Sequence, residues 1–242
     1  MNLIIDVGNS RVKLAVYSDK GLICKKIVSV ENLINSSNSL LSQYPSIDAA
    51  IVSSVGKIKP KELKWLQKKL EVIILSHKTK IPFKNKYSTP TTLGVDRMAL
   101  VSASVEKYPD KNVLIIDAGT CITYDFITSD NIYLGGAISP GIRTRYRSLN
   151  NLTSNLPLLE TKTPRNIIGR STAGSIHSGI IFGIEKEIDG VIEEYQKNYR
   201  DLTVILTGGD VKLLSKRLKS SIFANSNFLL EGLNYILEFN KK

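Results

Sequence analysis

Apolar positions along the chain fall into short runs of strand period and longer stretches of helical period, and their alternation predicts the order of elements. Runs at residues 2–6, 11–17 and 22–28, punctuated by Gly8 and by Asp19, Lys20 and Gly21, predict three strands joined by tight turns. Helical spacing covers residues 31–43 and 60–70, the latter with Pro60 in its first turn, and short strands are expected at 47–53 and 72–75. Residues 78–93 hold Pro82 and Pro90 without a sustained period, which predicts a long ordered loop of the kind that often carries function. A largely buried helix follows at 95–107, bearing Met98, Ala99, Val101, Ala103 and Val105.

The pattern then starts again. Strands are expected at 113–117, 121–127 and 132–138, followed by a small-residue turn from Gly135 to Gly141 and a helix. One long helix is expected at 171–199, although Gly174, Gly179, Gly183 and Gly190 each cost it roughly 1 kcal/mol against alanine and suggest close packing or a break. A strand at 202–206 ends in Thr207, Gly208, Gly209 and Asp210, a further strand-to-helix turn; a strand near Ile222 and a helix at 229–239 close the chain. The restart is literal: Leu3, Ile4, Ile5, Asp6, Val7, Gly8 and Leu114, Ile115, Ile116, Asp117, Ala118, Gly119 align at an offset of 111 residues, and Ser18–Asp19 and Ser129–Asp130 match at the same offset. A repeat of about half the 242 residues predicts a duplicated α/β fold with mixed sheets, residues 1–93 forming one lobe and 94–242 a crossover helix plus the second. One carboxylate from each half would then face a shared cleft.

Composition narrows the chemistry more than the fold. The 42% hydrophobic and 23% charged content is that of an ordinary globular protein. No apolar run reaches the ~18 residues of a membrane span, and the first residues enter a strand without the features of a signal peptide, so no membrane partner and a cytoplasmic location are expected. The net charge of +11 favours anionic ligands, but the lysines are dispersed, without the basic stripe that argues for nucleic acid. Arg143, Arg145 and Arg147 form a local basic run suited to phosphate, to a partner, or to plain surface. Cys24 and Cys121 lie far apart, which disfavours a zinc site or disulfide framework and leaves both as reduced strand residues of a type usually buried; His77 and His177 are the only histidines, which disfavours a Ser-His-Asp hydrolase.

A strand that ends in Asp and Gly beside small hydroxyl or amide residues lets backbone N–H groups approach phosphate oxygens while the carboxylate holds a cation or water. Asp6, Gly8, Asn9 and Ser10 supply this in one half, and Asp117, Gly119 and Thr120 in the other. Neither a P-loop nor a G-x-G-x-x-G fingerprint is present. Lys13 could reach a phosphate as a point charge or sit on a solvated strand face. With histidine scarce, a general base would be a carboxylate, and Asp96 in Gly94-Val95-Asp96-Arg97 stands at the start of the crossover helix, where a plain capping role competes. Arg97 could pair with a substrate carboxylate or make a surface ion pair.

Taken together, DVGNS at 6–10 with Lys13, Tyr87 ahead of LGVDR at 93–97, DAGTCITYD at 117–125 and GGAISPG at 135–141 resemble type III pantothenate kinases along essentially the whole chain. The resemblance implies duplicated ribonuclease-H-like lobes of the actin-like ATPase superfamily and ATP-dependent phosphorylation of pantothenate to 4'-phosphopantothenate, the first step of coenzyme A synthesis. It implies ATP with Mg2+ and a monovalent cation, K+ or NH4+. Asp6, Val7, Gly8, Asn9, Ser10, Arg11, Val12 and Lys13 would bind ATP together with Thr120. Asp117 would hold the monovalent cation, and Asp96 would act as the catalytic base. Tyr87, Gly94, Val95, Asp96 and Arg97 would bind pantothenate, joined by Thr172 of the other subunit of a homodimer. Ser10 and Cys121 depart slightly from the family pattern without touching this chemistry. A non-catalytic relative acting as a transcription accessory factor is the alternative, and a kinase of another small molecule in the same superfamily is a second; keeping Asp6, Asp96, Asp117 and Thr120 argues against the first, and Tyr87 with the GVDR run against the second.

Overall fold

The structure is a computed structural model and describes residues 1–8, 11–54 and 58–241. Strands β1 (Asn2–Val7), β2 (Val12–Ser18) and β3 (Gly21–Val28) form the expected antiparallel meander. After helix α1 (Leu33–Gln43), β4 (Ala49–Ser54) pairs parallel to β1; after α2 (Pro60–Gln67), β5 (Glu71–Ile74) pairs parallel to β4, so the sheet runs β3-β2-β1-β4-β5. Strand alternation sets its two faces. Leu3, Ile5 and Val7 join Val12, Leu14, Val16, Ala50 and Val52 in a core closed by Leu33, Leu40 and Leu66 of α1 and α2. Asp6 alternates with these residues and belongs to the opposite face. The segment 78–93 is ordered, with a two-residue strand β6 (Lys84–Asn85) and a 3-10 turn at Pro90–Thr92, and leads into α3 (Val95–Lys107).

The second meander, β7 (Val113–Ala118), β8 (Cys121–Ile127) and β9 (Ile132–Pro140), is again antiparallel. Helices α4 (Ile142–Asn151) and α5 (Thr172–Asn198) follow, then β10 (Thr203–Thr207) parallel to β7, a single helical turn α6 (Val211–Leu214), and β11 (Phe223–Ala224) parallel to β10. The order β9-β8-β7-β10-β11 repeats β3-β2-β1-β4-β5 element for element, so the duplication inferred from one short repeat extends to the topology. Ile181, Ile184, Ile188 and Ile192 of α5 pack on Leu114, Ile116, Tyr124, Phe126 and Leu206 to form this half's core.

The chain ends in α7 (Phe228–Asn240), which packs on β1, β4 and α3. Two compact units result, one of Met1–Pro109 with Asn227–Lys242 and one of Asp110–Ser226. The division expected after residue 93 therefore differs from the one the packing makes. Helix α3 buries Met98, Ala99, Leu100, Val101 and Ala103, and α7 meets it so closely at Gly232 that a Cβ there would stand 1.8 Å from the Ala99 carbonyl oxygen. Both helices belong to the first unit.

Two further expectations are corrected. Residues 135–140 form no turn but continue β9, because Gly136 brings the strand so near β8 that a Cβ would lie 1.6 Å from the Tyr124 carbonyl oxygen; an irregularity in pairing, with Gly135 at φ +114°, absorbs the bend. The one long helix expected at 171–199 is found: α5 runs unbroken through its four glycines, and at Gly179, Gly183 and Gly190 a Cβ would meet, among the described residues, nothing beyond its own helix turn within 4 Å. Both cysteines are free and lie in strands, but Cys121 is exposed rather than buried.

Candidate active site

In the first unit the site grows from the end of β1. Asp6 stands opposite Lys13 of β2 and beside Ser53 of β4 in the sheet register. It is only 7% exposed, and Lys13 Nζ donates to its Oδ2 at 3.1 Å. Burial pushes the Asp6 carboxyl above its ordinary value; Lys13 opposes this, and the negative charge of Asp96 adds to it. Asp6, Lys13 and Asp96 are thus one electrostatic group, brought together by the end of a strand and the start of α3.

The turn that follows is closed by the Gly8 N–H, which donates to the Arg11 carbonyl at 3.1 Å. Asn9 and Ser10 lie outside the described residues. Arg11 is exposed, whereas Val7 and Val12 are fully buried in the core and present no surface to a ligand.

Gly94 caps α3, and its O accepts from the Met98 N–H at 3.2 Å. A Cβ on Gly94 would fall 2.3 Å from Asp96 Oδ1, so the missing side chain is the space into which the Asp96 carboxylate folds. The Arg97 N–H donates to the same oxygen at 2.8 Å. Arg97 is buried rather than on the surface: it is 5% exposed, with its guanidinium 5.6 Å from the centre of the Tyr87 ring. Tyr87 is in turn tied by its N–H to Asn85 Oδ1 at 2.9 Å. Val95 is half-buried in the first turn of α3.

In the second unit Asp117 holds the corresponding place on β7, but its partner across the turn, Thr123, is one residue nearer in sequence than Lys13 is to Asp6. Its register neighbours are Thr123 of β8 and Thr207 of β10, so no lysine stands where Asp6 has one. The turn at Gly208, φ +98°, lies against Asp117, and a Cβ there would be 2.4 Å from Asp117 Oδ1 and 2.3 Å from the Ala118 carbonyl oxygen. The Asp210 N–H donates to that carbonyl at 3.0 Å, and burial raises the Asp210 carboxyl. Thr120 is exposed at the turn, and its carbonyl accepts from the Gly141 N–H at 3.0 Å and from Thr144 Oγ1 at 2.6 Å. Sequence reasoning saw a strand-to-helix turn at 207–210 without linking it to Asp117, and missed Thr144 altogether, since only the closed sheet brings these residues beside the β7–β8 turn.

Thr172 opens α5 on the surface, behind the Ser171 cap whose Oγ accepts from the Gly174 N–H at 3.0 Å. Beside the start of α5 lies a cleft of about 640 Å³ lined by Lys162, Arg165, Arg170, Ser171 and His177 among others, but not by Thr172 itself. The arginine run of α4 is mainly structural. Arg143 donates to the Leu159 carbonyl at 2.8 Å and pairs with Glu160, and Arg145 pairs with Glu187; Arg147 is exposed. Burial pushes the Glu187 carboxyl up, but hydrogen bonds from Arg145, Ser139 and Tyr124 outweigh it and hold the group below its ordinary value.

A family model described as type III pantothenate kinase matches residues 2–194. A type III pantothenate kinase of Christiangramia forsetii is 52% identical over 241 residues, covering 100% of this chain and 99% of that protein. Among solved structures, a Campylobacter jejuni protein assigned to the Baf family of transcriptional activators superposes with a TM-score of 0.64 at 22% identity, over 98% of each chain. A ROK hexokinase of Thermus thermophilus gives 0.57 at 11% identity, over 99% of each. Likeness at such identities shows the fold, a duplicated α/β architecture with two mixed sheets flanked by helices.

Proposed function

The chain belongs to the type III pantothenate kinase family, and from that premise we infer that it transfers the γ-phosphoryl group of ATP to the primary hydroxyl of pantothenate. The products are 4'-phosphopantothenate and ADP, at the entry to coenzyme A synthesis. The observation that carries the residue assignments is the grouping of Asp6, Lys13 and Asp96 in the first unit.

Phosphoryl transfer asks a protein for positioning, for compensation of phosphate charge and for a group that accepts the nucleophile's proton. Asp96 takes that proton. Its carboxylate, lodged over Gly94 and oriented by the Arg97 N–H, has one oxygen fixed by its own helix turn, which limits the orientations open to the other. Lys13 brings a positive charge to the phosphates, and while no nucleotide is present Asp6 is its partner. Residues 6–13 and Thr120 are assigned to the nucleotide. Tyr87 and Arg97 hold pantothenate, the guanidinium being pre-oriented by the ring it lies over.

Mg2+ would come with ATP, with water and phosphate oxygens as most of its ligands. The monovalent cation, K+ or NH4+, is assigned to Asp117. Neutral register neighbours at Thr123 and Thr207, and the space left by the absent Gly208 side chain, fit a singly charged ion among oxygen donors. When bound it would supply positive charge at Asp117. Thr172 acts on the pantothenate of a second copy. The exposure of Ile167 (66%) and Ile168 (76%) near the open glycine face of α5 supports pairing of two copies there.

The test is ADP release with pantothenate, ATP and magnesium, in potassium or in sodium salt. Turnover is expected in potassium and little in sodium; no pantothenate-dependent turnover in potassium refutes the reading. Asp96→Asn should lower kcat by roughly 10²- to 10⁴-fold with an unchanged thermal midpoint, and a near-normal rate removes Asp96 from the role of base. A regulator without activity would have no chemical need for this group of residues.

A further inference from the structure

We propose that Thr144 is a positioning residue for the nucleotide, acting through the carbonyl of Thr120. The inference rests on the reading that Thr120 meets ATP, and deepens it. A threonine in a first helical turn ordinarily turns its hydroxyl to solvent or to nearby backbone of its own helix. Thr144, third residue of α4, instead sends Oγ1 back to the Thr120 carbonyl at 2.6 Å. The Gly141 N–H donates to the same oxygen at 3.0 Å, so both lone pairs of that carbonyl are used. With its carbonyl held from two sides, the peptide between Thr120 and Cys121 cannot rotate freely, and the Thr120 side chain inherits a fixed direction.

The clamp is itself anchored. A Cβ on Gly141 would stand 1.9 Å from the Gly119 carbonyl oxygen, so α4 starts in contact with the β7–β8 turn. Arg145, next to Thr144, donates from Nε to the Pro140 carbonyl at 2.8 Å and from Nη2 to Ser139 Oγ at 3.0 Å, and pairs with Glu187 of α5. Glu187 also accepts from the Tyr124 hydroxyl at 3.0 Å, which returns the network to β8. The end of β9, the start of α4, the middle of α5 and β8 thus fix the frame in which Thr144 holds the turn.

Thr144→Val keeps the shape and removes the donor. Loss of one hydrogen bond of ordinary net strength should raise KM for ATP about 3- to 10-fold, with kcat and KM for pantothenate within about twofold of the parent. A non-hydrolysable ATP analogue, followed by calorimetry on the intact protein, should lose affinity by the same factor, and Thr144→Ser should restore it. The proposal is overturned if Thr144→Val binds the analogue as the parent does. It is equally overturned if KM rises alike for both substrates in step with a fall in thermal midpoint, the signature of a merely structural residue. Because the calorimetric arm needs no turnover, failure of the pantothenate assay and failure of this inference are separable: weakened analogue binding in an enzyme that leaves pantothenate untouched sinks the kinase reading alone.

Discussion

Asp6 and Asp117 occupy the same place in their strands and keep different company. Asp6 has a lysine across the sheet; Asp117 has threonines on both sides. The Asp6 carboxyl, raised above its ordinary value chiefly by burial, means that the folded protein holds this proton more tightly than the unfolded chain. Its contribution to stability is complete below the ordinary carboxylate value and is lost as pH rises through the folded one. Asp6→Asn has no such proton to lose. In the absence of nucleotide, its thermal midpoint relative to the parent should therefore be higher at pH 7 than at pH 4, at the expense of activity; an equal offset at both pH values would count against a strained carboxyl. At this scale the sequence revealed the aspartates and the glycines beside them, since a strand ending in Asp-x-Gly is a local signal. The lysine-for-threonine exchange was not legible, because it depends on a cross-strand pairing one residue closer in sequence in the second copy. Turn length shifts cross-strand register without altering alternation.

At the scale of elements, the apolar period located nearly every strand and helix, including α3 at the same bounds, Val95–Lys107. It was ambiguous at glycines: Gly135 and Gly136 read as a turn and are strand, while those of α5, which left close packing or a break open, sit in the one long helix expected. What a glycine does depends on what faces it. Gly232→Ala would press a methyl group onto the Ala99 carbonyl and should destabilise the protein by about 2–3 kcal/mol through overpacking. Gly190→Ala faces open space in a helix interior and should stabilise by about 0.5–1 kcal/mol. Denaturant unfolding of the two variants tests the pair, and effects of the same sign would contradict the packing described.

The whole molecule is a chain that leaves its first unit after residue 109 and returns to it at 227. No pattern in the sequence announced the return, because α7 is an ordinary apolar helix and its partners α3, β1 and β4 lie far upstream; only packing identifies them. Phe228, Leu230, Leu233, Ile236 and Leu237 are buried almost completely. At ~1.5–3 kcal/mol each they contribute about as much as the entire net stability of a typical domain, ~5–15 kcal/mol. A chain ending at residue 226 should therefore leave the first unit unfolded while the continuous second unit keeps its protection, as hydrogen exchange resolved by segment would show; full protection of residues 1–109 in that truncation would refute the role given to α7. The same connectivity sets a timetable during synthesis. Asp6, Lys13 and Asp96 leave the ribosome early, yet the layer that covers their sheet is translated only after the whole second unit. The half made first must wait, tethered and incomplete, while the second unit is made, so the unit that carries Asp6, Lys13 and Asp96 is finished only when α7 emerges.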